Sequence, residues 1–550
     1  GKSLRRPDIP AKVSGQHTWL HDLRLPGMLH ARVVRPPALG ATLQGVDESS
    51  IAAIPGVRVV RIQSFLAVLA EHEWDAVRAA QALKATWSAG TGLPEHARAF
   101  EAMRTGRVVR GQEIVRRGDL AALTAPADGT RTLAATYRWP MQTHGSIGPS
   151  CGLADVRPGR ATLWSSTQNP HGLQATAARF LGLEREHVRV IYLDGAGSYG
   201  VNGADDAAAE AALLSRAVGR PVRVQWMRQE EHGLDPKGPA QLLDLRGAVD
   251  GDGQLVAWDT QAWLPMATAN LPNVPLLCLD AAGIPQTPGR STGLIYQNID
   301  PPYAVPNLDA VVHWLADAPL RTSAIRAPGK IANTFAVESF TDELAALARV
   351  DPLDFRLRRL GNPRGVEVLR RMAARMGWQY RPSPKPVDRT AAVATGRGIA
   401  FVHYKHDESL VAMGMEVSVE RASGRIHVTR VVCAQDCGLM VNPDNVQAQL
   451  EGNILQTLSR ALHEEVVWNR DGVTTLDWSS YPILTFPEVP ALEFELIQRL
   501  DQPPLGVGEA GSAPVAAALG NAVFDATGVR LRTVPFTAER VREALSRGPS

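Results

Sequence analysis

The loop Gly195-Ala-Gly197-Ser-Tyr-Gly200 lies directly between the strand-like stretch HVRVIYLD and the helical stretch ADDAAAEAALLSRAV. Three glycines at that spacing commit this part of the chain to a strand, a tight turn and a helix, since glycine alone takes up positive φ freely and lets another group come close to the backbone. The same alternation continues on both sides: RTLAATYRW, ATLWSSTQ and RPVRVQWMR read as strands and LQATAARFLGL as a helix. The fold class expected is therefore mixed α/β (α+β). The spacing is also that of dinucleotide-binding loops, which present free N–H groups and the positive end of a helix to a pyrophosphate. Here Asp205 and Asp206 occupy the first turn of the helix and would repel a diphosphate, and the next strand runs into Arg228-Gln229-Glu230-Glu231 rather than a single ribose-binding acid. A nucleotide-dependent dehydrogenase using the Gly195 loop is the alternative; the first reading is a loop where backbone approaches some other group.

A chain of 550 residues has room for several compact units. Residues 1–87 alternate short strands (GMLHARVVRPP, GVRVVRI) with the helical EWDAVRAAQALKATW and read as a small α/β domain. Residues 88–131 turn polar and glycine-spotted, as a linker does. A mixed body follows over 132–380 and ends in the helical VESFTDELAALARV, DPLDFRLRRL and EVLRRMAARMG, before RPSPKPVDRT breaks the pattern with closely spaced prolines. The last unit, 390–550, opens with the strands GRGIAFVHY, GMEVSVER and RIHVTRVVCAQ and continues through the amphipathic NVQAQLEGNILQTLSRALHEEV. The net charge of +2 gives no basic footprint for nucleic acid or an anionic membrane. No apolar run is long enough to span a bilayer, and the opening GKSLRRPDIP lacks a signal peptide's apolar core, although its first residue is glycine, as in a processed or split chain. The four cysteines, Cys151, Cys278, Cys433 and Cys437, form no CxxC, no haem-attachment motif and no iron–sulfur set, so a redox metal would have to be held by other means.

Four further clusters carry polar chemistry in small-residue surroundings. Met141-Gln142-Thr-His144 leads into Gly145-Ser-Ile-Gly148-Pro149-Ser-Cys151, and Arg321-Thr-Ser-Ala-Ile-Arg326-Ala-Pro-Gly329 precedes a helix. In the stretch from Asp436-Cys-Gly438 through Gln449-Leu-Glu451-Gly452 to Gln456, the two glutamines fall on one helical face with Gly452 between them, and buried amides want partners. Leu505-Gly-Val-Gly508-Glu509-Ala-Gly-Ser-Ala-Pro514 frames one carboxylate with glycines in an apolar stretch, where desolvation would raise its pKa and make it a usable base. Each cluster alone has an ordinary structural explanation.

In this order, over nearly the whole chain, the clusters resemble the molybdenum-binding subunit of the xanthine dehydrogenase and aldehyde oxidase family, nearest to its nicotinate dehydrogenase and isoquinoline 1-oxidoreductase branch. DIPAKVSG with DLRLPGMLHARVVRPP is similar to the family's small hammerhead domain, DCGLMVNPDNVQAQLEGNILQTLSRALHEE to its cofactor helix, and GVGEAGSAPVAAALGNAVFDATG to its GVGEP segment, with Ala510 where proline is usual. The resemblance implies a hammerhead domain followed by two molybdopterin-binding domains. It also implies hydroxylation of an electron-poor carbon, in an N-heteroaromatic or an aldehyde, with oxygen from water. Carried over by match, Glu509 is the catalytic glutamate and Arg326 the substrate-polarising arginine. Gln142, Tyr199, Gly200, Gln449 and Gly508 fall on cofactor-binding positions.

The implied cofactor is molybdopterin cytosine dinucleotide with an oxo- and sulfido-bearing molybdenum, held by the pterin dithiolene rather than by the protein. The implied partners are a small 2Fe-2S subunit, with a cytochrome c beyond it, and a chain or fragment supplying the family's GQG cofactor segment, which these 550 residues lack. Asn202-Gly-Ala-Asp205 stands where purine-binding members have a glutamate, which speaks against a purine substrate. The missing segment also admits a non-catalytic scaffold subunit. The compartment, bacterial cytoplasm or the periplasmic face of the inner membrane, stays open.

Overall fold

A computed structural model describes residues 1–266, 275–286 and 292–548. Its largest sheet has seven strands in the order Val188–Tyr192, Arg160–Ser165, Cys151–Arg157, Val222–Gln225, Leu29–Val33, Phe65–Ala70, Arg58–Ile62. Leu29–Val33 pairs in parallel with Val222–Gln225, so strands of the first 87 residues extend the sheet of the body. Helix Asp206–Val218 is rich in alanine and buried along most of its length. It packs with Pro170–Leu181 into a core shared by Leu29, Leu163, Leu213 and Trp226.

A second sheet runs Val108–Arg117, Asn307–Leu315, Leu255–Pro265, Gln241–Val249, Arg131–Trp139. Its outer strand Val108–Arg117 comes from the stretch read as a linker. That strand stays exposed along one face and therefore carries arginines and a glutamate instead of the apolar alternation by which strands are recognised. The helical pattern expected over 73–87 also ends early: the helix stops at Ala82, and Lys84–Trp87 pairs with Leu43–Asp47.

The third sheet, Val393–His403, Leu410–Glu420, Ile426–Asp436, Ala491–Ile497, carries helix Val515–Thr527 on one face. Gly396 and Gly398 let that helix lie on the strand; a Cβ on either would come within 2.3 Å of the backbone nitrogen of Ala526 or Ala522. Helix Lys330–Ala348 packs against both Val515–Thr527 and the second sheet, joining the two layers through one core that includes Leu243, Phe335, Phe340, Met413 and Leu519. It is buried on every side, so its acids are paired inside the protein: Glu338 with Arg356, Glu343 with Arg532, Asp342 with Arg530. Among the described residues no helix is long and apolar enough to cross a membrane.

Candidate functional site

Five segments meet at one cleft of about 480 Å³: Gln168 after strand Arg160–Ser165, the glycine loop before Asp206–Val218, residues 323–328, the first half of helix Pro443–Leu462, and the segment ending in Glu509. Tyr199 sits in the left-handed region at φ 54°, and its carbonyl accepts from the Arg326 N–H (2.8 Å). Gly200 follows at φ 119°, where a Cβ would lie 1.9 Å from the Ala324 carbonyl oxygen. The loop is thus keyed onto 324–326, and its last glycine is demanded by that contact.

Arg326 reaches across the cleft. Its Nε donates to the Gly508 carbonyl (2.8 Å), one terminal nitrogen to Gln449 Oε1 (2.8 Å) and the other to Gln456 Oε1 (3.4 Å). The guanidinium passes over Gly452, where a Cβ would stand 3.4 Å from Nη1. Two glutamines seven residues apart with a glycine between them form a seat for a planar guanidinium. Burial lowers the pKa of Arg326, and the like charge of Arg460 adds to the effect.

Glu509 opens the short turn Ala510–Ser512, anchored to helix Pro443–Leu462 by the Ser512 hydroxyl donating to Asn453 Oδ1 (2.7 Å). Polar groups face it although the surrounding stretch is apolar. The side chain is half-buried, with one oxygen accepting from the Ala327 N–H (3.2 Å) and the other from the Tyr404 hydroxyl (2.7 Å).

Tyr199 and Arg326 also border a second chamber, lined on its far side by Gln456, Ser459, Glu464 and the exposed Phe486. Arg460, whose charge acts on Arg326, is 1 % exposed, and none of its three guanidinium nitrogens has a hydrogen-bond partner among the described residues. Among the described residues no three His, Cys, Asp or Glu side chains converge to hold a metal ion. A metal working here would have to bring its own ligands.

Two models described as molybdopterin cofactor-binding domain match residues 101–360 and 367–490. A nicotinate dehydrogenase subunit of Pseudomonas putida is 42 % identical over 99 % of the chain. The chain belongs to the molybdenum-binding domains of the xanthine dehydrogenase family. It spans 46 % of the length of that relative. The isoquinoline 1-oxidoreductase beta chain of Brevundimonas diminuta is 28 % identical over 98 % of this chain and 68 % of its own length. The crystal structure of quinoline 2-oxidoreductase from Pseudomonas putida 86 has the same fold, with a TM-score of 0.83 at 17 % identity and coverage of 100 % and 98 % of the two chains.

For a molybdopterin-binding chain the cleft is a fitting cradle. Its walls are glycine backbone, the Gln168 and Gln449 amides, the Arg326 guanidinium and the single carboxylate of Glu509, with no cluster of metal-ligating side chains among the described residues. Six of the seven residues matched to family positions, Tyr199, Gly200, Arg326, Gln449, Gly508 and Glu509, line this one cleft although they span more than 300 positions of sequence. Gln142 stands apart. It is 1 % exposed, its amide nitrogen donates to the carbonyls of Glu464 (2.9 Å) and Arg460 (3.2 Å), and its oxygen accepts from Trp139 (3.2 Å), so both ends of the amide are engaged in joining segments of the protein.

The nucleotide-loop alternative is not favoured. Asp205 accepts from the Ser165 and Thr167 hydroxyls (2.9 and 2.8 Å) and Asp206 pairs with Arg321 (2.9 Å), so acids already fill the helix start a diphosphate would need. Burial pushes the Asp205 carboxyl up to about 7. Sequence reading missed Tyr404 and Arg460. Each lies in an apolar, patterned stretch that announces only a strand end and a helix.

Proposed function

We propose that this chain is the cofactor-binding part of a molybdenum hydroxylase that oxidises an electron-poor ring carbon of an N-heteroaromatic acid, aldehydes being the other substrate class open to it. A ring C–H and a water molecule become C–OH, with two protons and two electrons released. The observation that carries this reading is the meeting of Glu509, Gln449 and Arg326 at one cleft, in a chain 42 % identical to a nicotinate dehydrogenase subunit.

When bound, the cofactor supplies the oxygen-transfer and two-electron chemistry. In this reading Gln449, Gly508 and the Tyr199–Gly200 backbone hold it, in its cytosine dinucleotide form. Arg326 orients the carboxylate or carbonyl of the substrate through paired hydrogen bonds. Glu509 accepts the proton released as the new C–O bond forms, its carboxylate aimed by Tyr404 and Ala327. The four cysteines are free, buried and without cluster spacing, which supports electron exit through a partner with 2Fe-2S centres and a cytochrome c beyond. The GQG segment would come from further polypeptide.

The test is metal and pterin analysis of the purified complex beside single-turnover reduction of wild type and Glu509→Gln. The expected result is molybdenum in both, with the reduction rate of the variant down by about 10²- to 10⁴-fold. Stoichiometric nicotinamide without molybdenum, or normal reduction of a fully loaded variant, would overturn the assignment.

A further inference from the structure

The hydroxyl that holds Glu509 belongs to a turn with unusual backbone. After strand Val393–His403, Lys405 and His406 lie consecutively in the left-handed region at φ 55° and φ 66°. Non-glycine residues seldom adopt it, two in succession less often, and such conformations persist only where surrounding structure enforces them. Here the enforcement is visible. Asn298, itself at φ 64°, accepts from the Lys405 N–H (2.9 Å) and donates to the His403 carbonyl (2.9 Å). Asp300 takes His406 Nε2 at 2.9 Å, and the Lys405 ammonium pairs with Glu408 (2.7 Å).

What this turn delivers is two contacts on the segment that carries the glutamate. The Tyr404 hydroxyl donates to Glu509 Oε2 (2.7 Å), and the Ser409 hydroxyl donates to the Gly506 carbonyl (2.5 Å). The Tyr404 ring is buried and cannot drift, with the ammonium groups of Lys330 and Lys405 at 5.8 and 5.4 Å from its centroid. We infer that the 403–409 turn is a positioning device for the catalytic carboxylate, with Tyr404 as the positioning residue and Asn298 as the pin that keeps the turn in its unfavourable backbone. The inference rests on the reading of Glu509 as the base.

The experiment compares Tyr404→Phe, Asn298→Gly, Glu509→Gln and the Tyr404→Phe/Glu509→Gln double variant in the purified complex. Tyr404→Phe keeps the ring and loses only the hydroxyl. Its kcat should fall by about 10- to 100-fold, the range for losing a partner that orients an active group, while KM stays within about twofold, and molybdenum content and unfolding midpoint stay at wild-type values. In the Glu509→Gln background the same change should cost nothing further in kcat, because no carboxylate base is left for the hydroxyl to aim. A crystal structure of cofactor-free Tyr404→Phe should show the Glu509 carboxylate displaced.

Asn298→Gly retains left-handed backbone and cuts the tie without touching the ring, so it should reproduce a loss confined to kcat even if Tyr404→Phe fails to fold. Wild-type kcat in either variant, with Glu509→Gln inactive, would overturn the positioning role and leave the base intact. Wild-type turnover in Glu509→Gln would overturn both.

Discussion

Two glycine-rich loops border the cleft, and they use glycine for opposite reasons. In the Gly195–Gly200 loop the protein closes on itself: a Cβ at Gly195 would meet the Ser166 hydroxyl at 2.7 Å, and one at Gly200 the Ala324 carbonyl at 1.9 Å. In the Gly506–Glu509 segment Gly508 has ordinary φ, and its nearest neighbour, Gln449 Oε1, would be 3.9 Å away. Glycine is a packing necessity at Gly195 and Gly200, while at Gly508 it leaves room at the cleft. The loop that advertises a ligand by its spacing therefore has its glycine requirement met by protein, and the less conspicuous one faces open space. Arg326 ties them together, its backbone N–H on the Tyr199 carbonyl and its side-chain Nε on the Gly508 carbonyl.

Substitutions should separate the two loops. Gly200→Ala combines positive φ with a collision against backbone and should cost about 3 kcal/mol or more of stability, read as a lowered unfolding midpoint; a variant as stable as wild type would break the comparison. Asp205→Asn probes the helix start behind the same loop. An acid whose carboxyl stands near 7 when folded, against 3.8 ordinarily, binds its proton more tightly folded than unfolded. Its contribution is therefore lost as pH rises from about 4 to 7. The Asn variant cannot lose it, so its stability relative to wild type should climb across that window by about 3 kcal/mol, measured by denaturant unfolding at each pH. A constant difference would show that Asp205 does not titrate there.

Arg326→Lys keeps the charge and the backbone bond to Tyr199 but loses the guanidinium fork on Gly508, Gln449 and Gln456, so turnover of heteroaromatic acids should fall about tenfold, equivalent to about 1.4 kcal/mol, with the fold retained. Steady-state rates over a panel of acids check this, and unchanged kcat and KM would remove Arg326 from the site. The smallest effect on stability is expected at Gly508→Ala, within about 0.5 kcal/mol. Molybdenum per chain should nevertheless drop, since the added methyl enters the cleft; full loading at normal stability would mean that Gly508 does not approach the cofactor.

Whatever rests on local pattern could be read along the chain before any fold was known. Alternating runs marked about half of the strands, glycine and acid placement argued against a nucleotide at the Gly195 loop, and the heptad pair Gln449 and Gln456 around Gly452 announced a helix face waiting for a polar partner. Folding supplied the partner, Arg326, more than 120 residues away, because a hydrogen bond between distant segments leaves no periodicity behind. It also placed the exposed strand Val108–Arg117 within a sheet, since edge pairing satisfies backbone groups whatever the side chains are. Gln142 matched a family position two residues before His144, and its amide nitrogen donates to carbonyls that only the folded chain brings within reach. Tyr404 gave no signal at all. Its role depends on two residues held at positive φ by Asn298, and a strained backbone maintained by remote contacts is a property of the assembled fold, which no stretch of chain encodes alone.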